Sequence, residues 1–194
     1  MKQKLTLLFL FFSCLAFAQA DADLLTKYAA QISQVKTLQS DFTEEKHLSL
    51  LNQPIQSTGR LSFDKQAQKL YWHYQTPFQN GFLIEKNKIY RLQGATKTPV
   101  KDAMGKMMAA QLLVWLTLDF DALQRDYEIT LHGAEIAFTP RAKAHKVIKQ
   151  IVVWLDEKNP QLVKQVKMEE PSGDFILWKF SNTHINFPVT DEDL

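Results

Sequence analysis

Residues able to do covalent or metal chemistry are present but scattered. The five histidines, His47, His73, His132, His145 and His184, show no spacing that sets two metal ligands on one helix turn or one strand face. Glu44-Glu45 and Glu169-Glu170 are adjacent pairs, and on strands adjacent side chains point to opposite faces, which separates them for paired acid-base work. There is no Gly-x-Ser-x-Gly elbow, no glycine loop for a phosphate and no His-Glu-x-x-His helix. The sequence therefore points away from an enzyme, and no metal or cofactor is expected. Asp191, Glu192 and Asp193 read as a solvated acidic tail.

What is plentiful is apolar. Thirteen phenylalanines, four tryptophans and five tyrosines fill a core or line a space that accepts an apolar ligand, and composition leaves both open. Five methionines add adaptable apolar surface, the kind found where variable partners must be fitted.

The chain opens with Lys2 and Lys4, an apolar run from Leu5 to Leu15 and the triplet Ala18-Gln19-Ala20, the order of a secretory signal peptide. The run is too short for a bilayer span, which needs about 20 apolar residues. Residues 1–20 are expected to be removed before Asp21, leaving one domain over 21–194 outside the cytoplasm. Cys14, the single cysteine, falls in the leader, and Ala18-Gln19-Ala20 is a better cleavage site than one making Cys14 a lipidated first residue. Removing Lys2 and Lys4 turns 23 basic against 21 acidic residues into 21 of each, a balance that argues against a nucleic-acid partner.

The elements follow from periodicity. Asp21 can cap a helix whose apolar positions Leu24, Leu25, Tyr28, Ile32 and Val35 recur at helical spacing. From Leu38 the period changes to two, and strands are expected over 38–43, 55–63, 70–74, 81–85 and 89–92, joined by short polar turns as an antiparallel meander. Between Asp102 and Leu116, Met104, Met107, Met108, Leu112, Trp115 and Leu116 repeat at three and four residues, an amphipathic helix with a methionine-rich face. A helical turn near Asp121 to Leu123 follows, then strands over 127–131, 135–139, 149–156, 162–169 and 175–180. The class is α+β, with one large antiparallel sheet that must curve because so many strands rarely stay flat.

Several stretches, taken in order, resemble the family of the periplasmic lipoprotein carrier LolA. They are the first helix leading to Phe42-Thr43, then Gly59-Arg60-Leu61, then Leu70-Tyr71-Trp72-His73-Tyr74 before Pro77, and finally Phe138-Thr139-Pro140-Arg141-Ala142-Lys143. The likeness runs from about Leu24 to about Phe187. It implies an incomplete, unclosed antiparallel β-barrel with helices forming a lid over an apolar cavity. It also implies a monomeric carrier that takes lipid-modified cargo from an inner-membrane donor complex to an outer-membrane acceptor. The alternative use of the same fold is a lipid-sensing or protein-docking envelope domain, for which a fused second domain is expected and this length leaves little room. On the carrier reading the candidate lining is Phe42, Leu61, Phe63, Trp72, Tyr74, Leu83, Met104, Met107, Met108, Leu112 and Trp115, each of which strand direction alone leaves open as core filler. Where the family has an arginine followed by proline that holds the lid, this chain has Lys65 before Gln66-Ala67, a point-charge donor without the planar fork. Arg91-Leu92-Gln93 and the shortened end at Ile185-Asn186-Phe187-Pro188 also depart from the family pattern, which widens the range of cargo to other lipids.

Overall fold

The computed structural model describes residues 23–86, 88–101, 120–141 and 147–188. Helix α1 (23–33) forms where Tyr28 and Ile32 lie one turn apart, flanked by Leu24, Leu25 and Ala29, so that one stripe is apolar. Its last turn tightens, with the Gln34 and Val35 N–H groups donating to the Gln31 and Ile32 carbonyls. Six strands follow: β1 (Thr37–His47), β2 (Ile55–Asp64), β3 (Lys69–Thr76), β4 (Asn80–Glu85), β5 (Lys88–Gln93) and β6 (Thr96–Pro99). After α2 (Phe120–Asp126) come β7 (Tyr127–His132), β8 (Glu135–Pro140), β9 (Gln150–Leu155), β10 (Val163–Glu169) and β11 (Phe175–Ile185). Asp21 and the whole span proposed for the methionine-rich helix, Met104, Met107, Met108, Leu112 and Trp115 included, lie outside the described residues. Among the described residues no helix is long and apolar enough to cross a membrane.

The strands form one antiparallel sheet of eleven, in the order β6-β5-β4-β3-β2-β1-β11-β10-β9-β8-β7. Its edges, β6 and β7, do not pair with each other, so the sheet is an unclosed barrel. Each half is a meander whose neighbours are also neighbours in sequence, and β1 and β11 join the halves at the centre. In that central pair Leu38 lies opposite Ile185, Phe42 opposite Phe180 and Glu44 opposite Trp178. A bulge at Ser40 keeps this alignment: Asn182 takes a left-handed φ of 51° and its amide donates to Asp41 Oδ2 at 2.9 Å. The buried Ser40 hydroxyl lies 3.0 Å from the Ser181 carbonyl oxygen and 2.7 Å from Thr183 Oγ1, so the break in the ladder leaves it partnered.

Because pairing is in register, one face runs unbroken across the sheet. The row Leu131, Ile136, Val153, Val166, Trp178, Glu44 and Ser57 shows how it crosses from one meander to the other. On the β7 to β9 side this inner face is covered by the helices: Tyr28 and Ile32 of α1 and Phe120 and Leu123 of α2 pack on Leu131, Ile136, Phe138, Ile151 and Val153. The Tyr28 hydroxyl donates to the Gly133 carbonyl at 3.1 Å and fixes α1 against the β7–β8 turn. On the β1 to β4 side a second cluster, Phe42, Leu61, Phe63, Leu70, Trp72 and Ile84, occupies the same face. The outer face pairs its charges, Asp41 with Arg60 at 2.8 Å and Glu45 with Lys179 at 2.8 Å.

Gly59 is required by a close approach. It lies opposite Phe42 in the β1–β2 register, and a Cβ there would run into the Phe42 ring and the His73 carbonyl oxygen. Gly59→Val should therefore displace the ring and lower stability by about 1–3 kcal/mol, the usual range for overpacking. A urea midpoint equal to that of the unchanged protein would contradict this account of the ring's position.

Candidate functional site

At the second cluster a set of rings is brought to one place by three strands. Phe42 comes from β1, Trp72 and Tyr74 from β3, and Trp178 and Phe180 from β11. Phe42 lies at the bottom, 1% exposed, with its centroid 4.6 Å from Trp72 and 5.3 Å from Tyr74, the latter edge to face. Trp178 and Phe180 each meet Trp72 edge to face at 6.4 Å. Phe42 and Trp72 are buried, whereas Tyr74, Trp178 and Phe180 are only half-buried.

A carboxylate sits among these rings. Glu44 lies two residues from Phe42 on β1 and so shares its face. Its Oε2 accepts from the Tyr74 hydroxyl at 2.6 Å and from Trp178 Nε1 at 2.7 Å. Among the described residues no cation pairs with it, in contrast to Glu45, one residue on, which faces out to Lys179 and His47. The donors are neutral, so the negative charge remains at the edge of an aromatic patch. Burial, followed by that charge and by the hydrogen bond it accepts, pushes the Tyr74 hydroxyl well above its ordinary value of 10.0.

The structure brings Phe42, Leu61, Phe63 and Trp72 into one cluster, with Tyr74 packed against it. Leu83 is placed elsewhere: register sets it opposite Tyr71 and Tyr90, on the outer face, while Ile84 takes the inner position beside Leu70. The run Phe82-Leu83-Ile84 is apolar on both faces, so alternation could not choose between them. Trp178 and Phe180 were missed as members for the same reason, since Phe175 to Trp178 is apolar throughout. Glu44 was read as half of a charge pair, and the signal that could have marked it was the even spacing from Phe42. Lys65, in the turn after β2, donates from Nζ to the Ser33 carbonyl at 3.1 Å, at the C-terminal end of α1. A cation there satisfies a free helix carbonyl and the negative end of the helix dipole. An open cleft of about 610 Å³ adjoins Lys65, lined by Lys36, Thr37, Asp64, Gln66, Asn186 and Phe187; it lies at the opposite end of β2 from Glu44. Among the described residues no group of three His, Cys, Asp or Glu side chains could hold a metal ion.

The Tyr74–Glu44 bond gives a signed pH prediction. Tyr74→Phe should cost about 1.5–3 kcal/mol at neutral pH, the range for a hydrogen bond to a charged group. Because the folded hydroxyl ionises later than the unfolded one, its contribution is complete below the unfolded value of 10.0 and is lost as pH rises above it. The gap between the unchanged protein and Tyr74→Phe should therefore narrow in urea titrations above that pH, and a gap that widens would contradict the geometry.

Comparison with known proteins places this arrangement. The sequence matches the family described as outer membrane lipoprotein carrier protein LolA over residues 33–193. No curated protein sequence matches it. Among solved structures, crystalline MucB superposes with a TM-score of 0.58 at 15% identity, over 91% of this chain and 62% of that one. A chain of the Pseudomonas aeruginosa MucA/MucB complex gives 0.55 at 17% identity, over 89% of this chain and 59% of that one. The chain thus spans about three fifths of the length of these two structures. The Mycobacterium tuberculosis lipoprotein LppX gives 0.51 at 10% identity, over 86% of this chain and 96% of that one. At these identities the likeness is one of fold. The family match covers most of the sequence, and the chain belongs to the family of the outer membrane lipoprotein carrier protein LolA.

Proposed function

We propose that this protein is a periplasmic carrier, exported by a leader over residues 1–20. In this reading it holds the acyl chains of lipid-modified cargo against the inner aromatic face and passes them from an inner-membrane donor to an outer-membrane acceptor. The observation that carries the reading is that Tyr74, Trp178 and Phe180 stay half-buried on the inner face, while the helix-covered half of that face is filled. A phenylalanine that only fills a core is commonly buried fully, and Phe180 is not. Each acyl methylene taken out of a bilayer into water costs about 0.8 kcal/mol, so two chains do not leave unaided at a useful rate. Rings that replace those contacts lower the barrier without any nucleotide. The Glu44 carboxylate, held by Tyr74 and Trp178, marks where apolar chain gives way to a polar head.

Lys65 acts as the latch. Its bond to the Ser33 carbonyl ties the turn after β2 to the end of α1, so the α1 C-terminal end can shift away from the aromatic half only when that bond opens. A single exposed charge at a helix end contributes about 0.3–1 kcal/mol, enough to bias an opening equilibrium without locking it. The second reading, a domain that docks a protein segment, is favoured by the likeness to a chain of the MucA/MucB complex.

Binding of an apolar fluorescent probe to the purified protein tests the carrier reading. Phe180→Glu, which sets an unpaired charge on the inner face, should weaken binding about tenfold or more. Thr43→Glu, on the exposed outer face, should leave it unchanged, and Phe180→Ser gives a milder version if the glutamate variant folds poorly. Lys65→Met should speed probe exchange without loss of fold. Undiminished probe binding by folded Phe180→Glu and Phe180→Ser would remove the aromatic face from the site.

A further inference from the structure

The two ends of the sheet differ sharply in chemistry. At one end lie the turns after β2, β4, β7 and β9, which include Lys65-Gln66-Ala67-Gln68, Lys86, Gly133-Ala134 and the polar stretch from Asp156 to Gln161. At the other lie the turns after β1, β3, β5, β8 and β10. The strands are antiparallel and paired in register, so these five turns share an end. All five large apolar side chains that stand exposed among the described residues belong to this second end. Leu50, Leu51 and Ile55 come from the turn after β1 and the start of β2, Phe78 from the turn after β3, and Val147 from the turn after β8. Leu50 is 93% and Phe78 74% exposed. A soluble surface scatters such residues singly, and their collection on separate turns of one end calls for a cause.

We propose that this end is a membrane-contact rim, whose apolar tips insert into the interfacial region of a phospholipid bilayer. Three observations favour a bilayer over a protein partner. The tips project from separate turns, and a bilayer accepts individual protruding side chains where a protein partner needs a packed, complementary core. Several charges nearby are paired within the protein: Glu169 holds Lys149 at 2.6 Å and Lys167 at 3.1 Å, Glu45 holds Lys179, and Asp174 accepts from the Ser49 N–H at 2.7 Å. These lysines already have partners, so the contact is assigned to apolar insertion. Finally, Ile55 lies on the inner face opposite Lys46, one strand position beyond the row of Ser57, Glu44 and Trp178, so the tips continue directly into the aromatic face. An acyl chain rising from a bilayer at this rim would pass Ile55 and meet Trp178 and Phe180 next. The inference rests on the carrier reading for its purpose but not for its test.

Flotation of the full chain with vesicles of phosphatidylethanolamine and phosphatidylglycerol, and with vesicles of phosphatidylcholine alone, measures the contact. The protein should partition into both, with little change between low and high salt. Leu50→Asp combined with Phe78→Asp should reduce partition about tenfold or more, since apolar area that would leave water is replaced by charge. Its melting temperature should be unchanged, because both side chains already face solvent. Phe78→Trp should add a blue-shifted emission quenched by lipids brominated on the acyl chain. No partition by the unchanged protein, partition unaffected by the paired aspartates, or a Phe78→Trp emission that lipid does not quench would each overturn the proposal. Loss of a two-copy association in the paired variant in place of lost vesicle binding would also overturn it, by assigning the tips to a second copy of the chain. Probe binding in the absence of vesicles should be unaffected by these substitutions, because Leu50 and Phe78 lie outside the aromatic cluster, so failure of the rim is distinguishable from failure of the carrier reading.

Discussion

The pairing of β1 with β11 is the constraint on which the rest of the molecule depends. Each half of the sheet is a local meander that its own short turns could assemble, and neither turn chemistry nor sequence proximity brings the halves together. The central pair does, over most of the length of two eleven-residue strands, and at the cost of one bulge. Its register sets Phe42 beside Phe180 and Glu44 beside Trp178. A shift of one residue would turn these side chains to the outer face and split the inner surface into two unrelated patches. The Ser40 hydroxyl and the left-handed Asn182 are small features in themselves, but they hold that alignment where the ladder is interrupted.

One continuous face then meets two different coverings. Over β7 to β9 the helices supply Tyr28, Ile32, Phe120 and Leu123, and the result is a filled core. Over β1 to β4 the described residues on this face are mostly the sheet's own rings, stacked edge to face, with a carboxylate held by two neutral donors. Packing of the first kind makes a stable base. That of the second kind leaves aromatic surface whose contacts a ligand can complete, next to a charge that a polar head can meet. Lys65 belongs to this division because it ties the end of α1, part of the filled half, to the turn between β2 and β3 of the aromatic half.

Much of this was legible from the residues, and the failures have physical causes. Ile55 to Phe63 alternates cleanly, so the faces of Leu61 and Phe63 could be assigned, and Leu70, Trp72 and Tyr74 likewise. Strand β6, Thr96–Pro99, was not read because four exposed polar or proline residues carry no alternation; it exists because β5 offers a free edge. The extension of β11 through Ser181 to Ile185 was hidden by polar residues whose role is to form the bulge. Leu83 was assigned to the wrong face because its neighbours are apolar on both sides, and burial there could not reveal direction. Glu44 was the most consequential omission: a carboxylate on an inner face contradicts the usual pattern, and only the three-dimensional approach of Tyr74 and Trp178 explains it.

The most direct test of the central claim is native mass spectrometry of the protein purified gently from its own cell envelope, followed by extraction and analysis of what it carries. The account predicts a bound species whose mass matches an acylated molecule at one per chain, released when the protein is unfolded. A preparation that is free of lipid and stays so after incubation with acylated cargo would contradict it, and would mean that the aromatic face is simply the protein's own core.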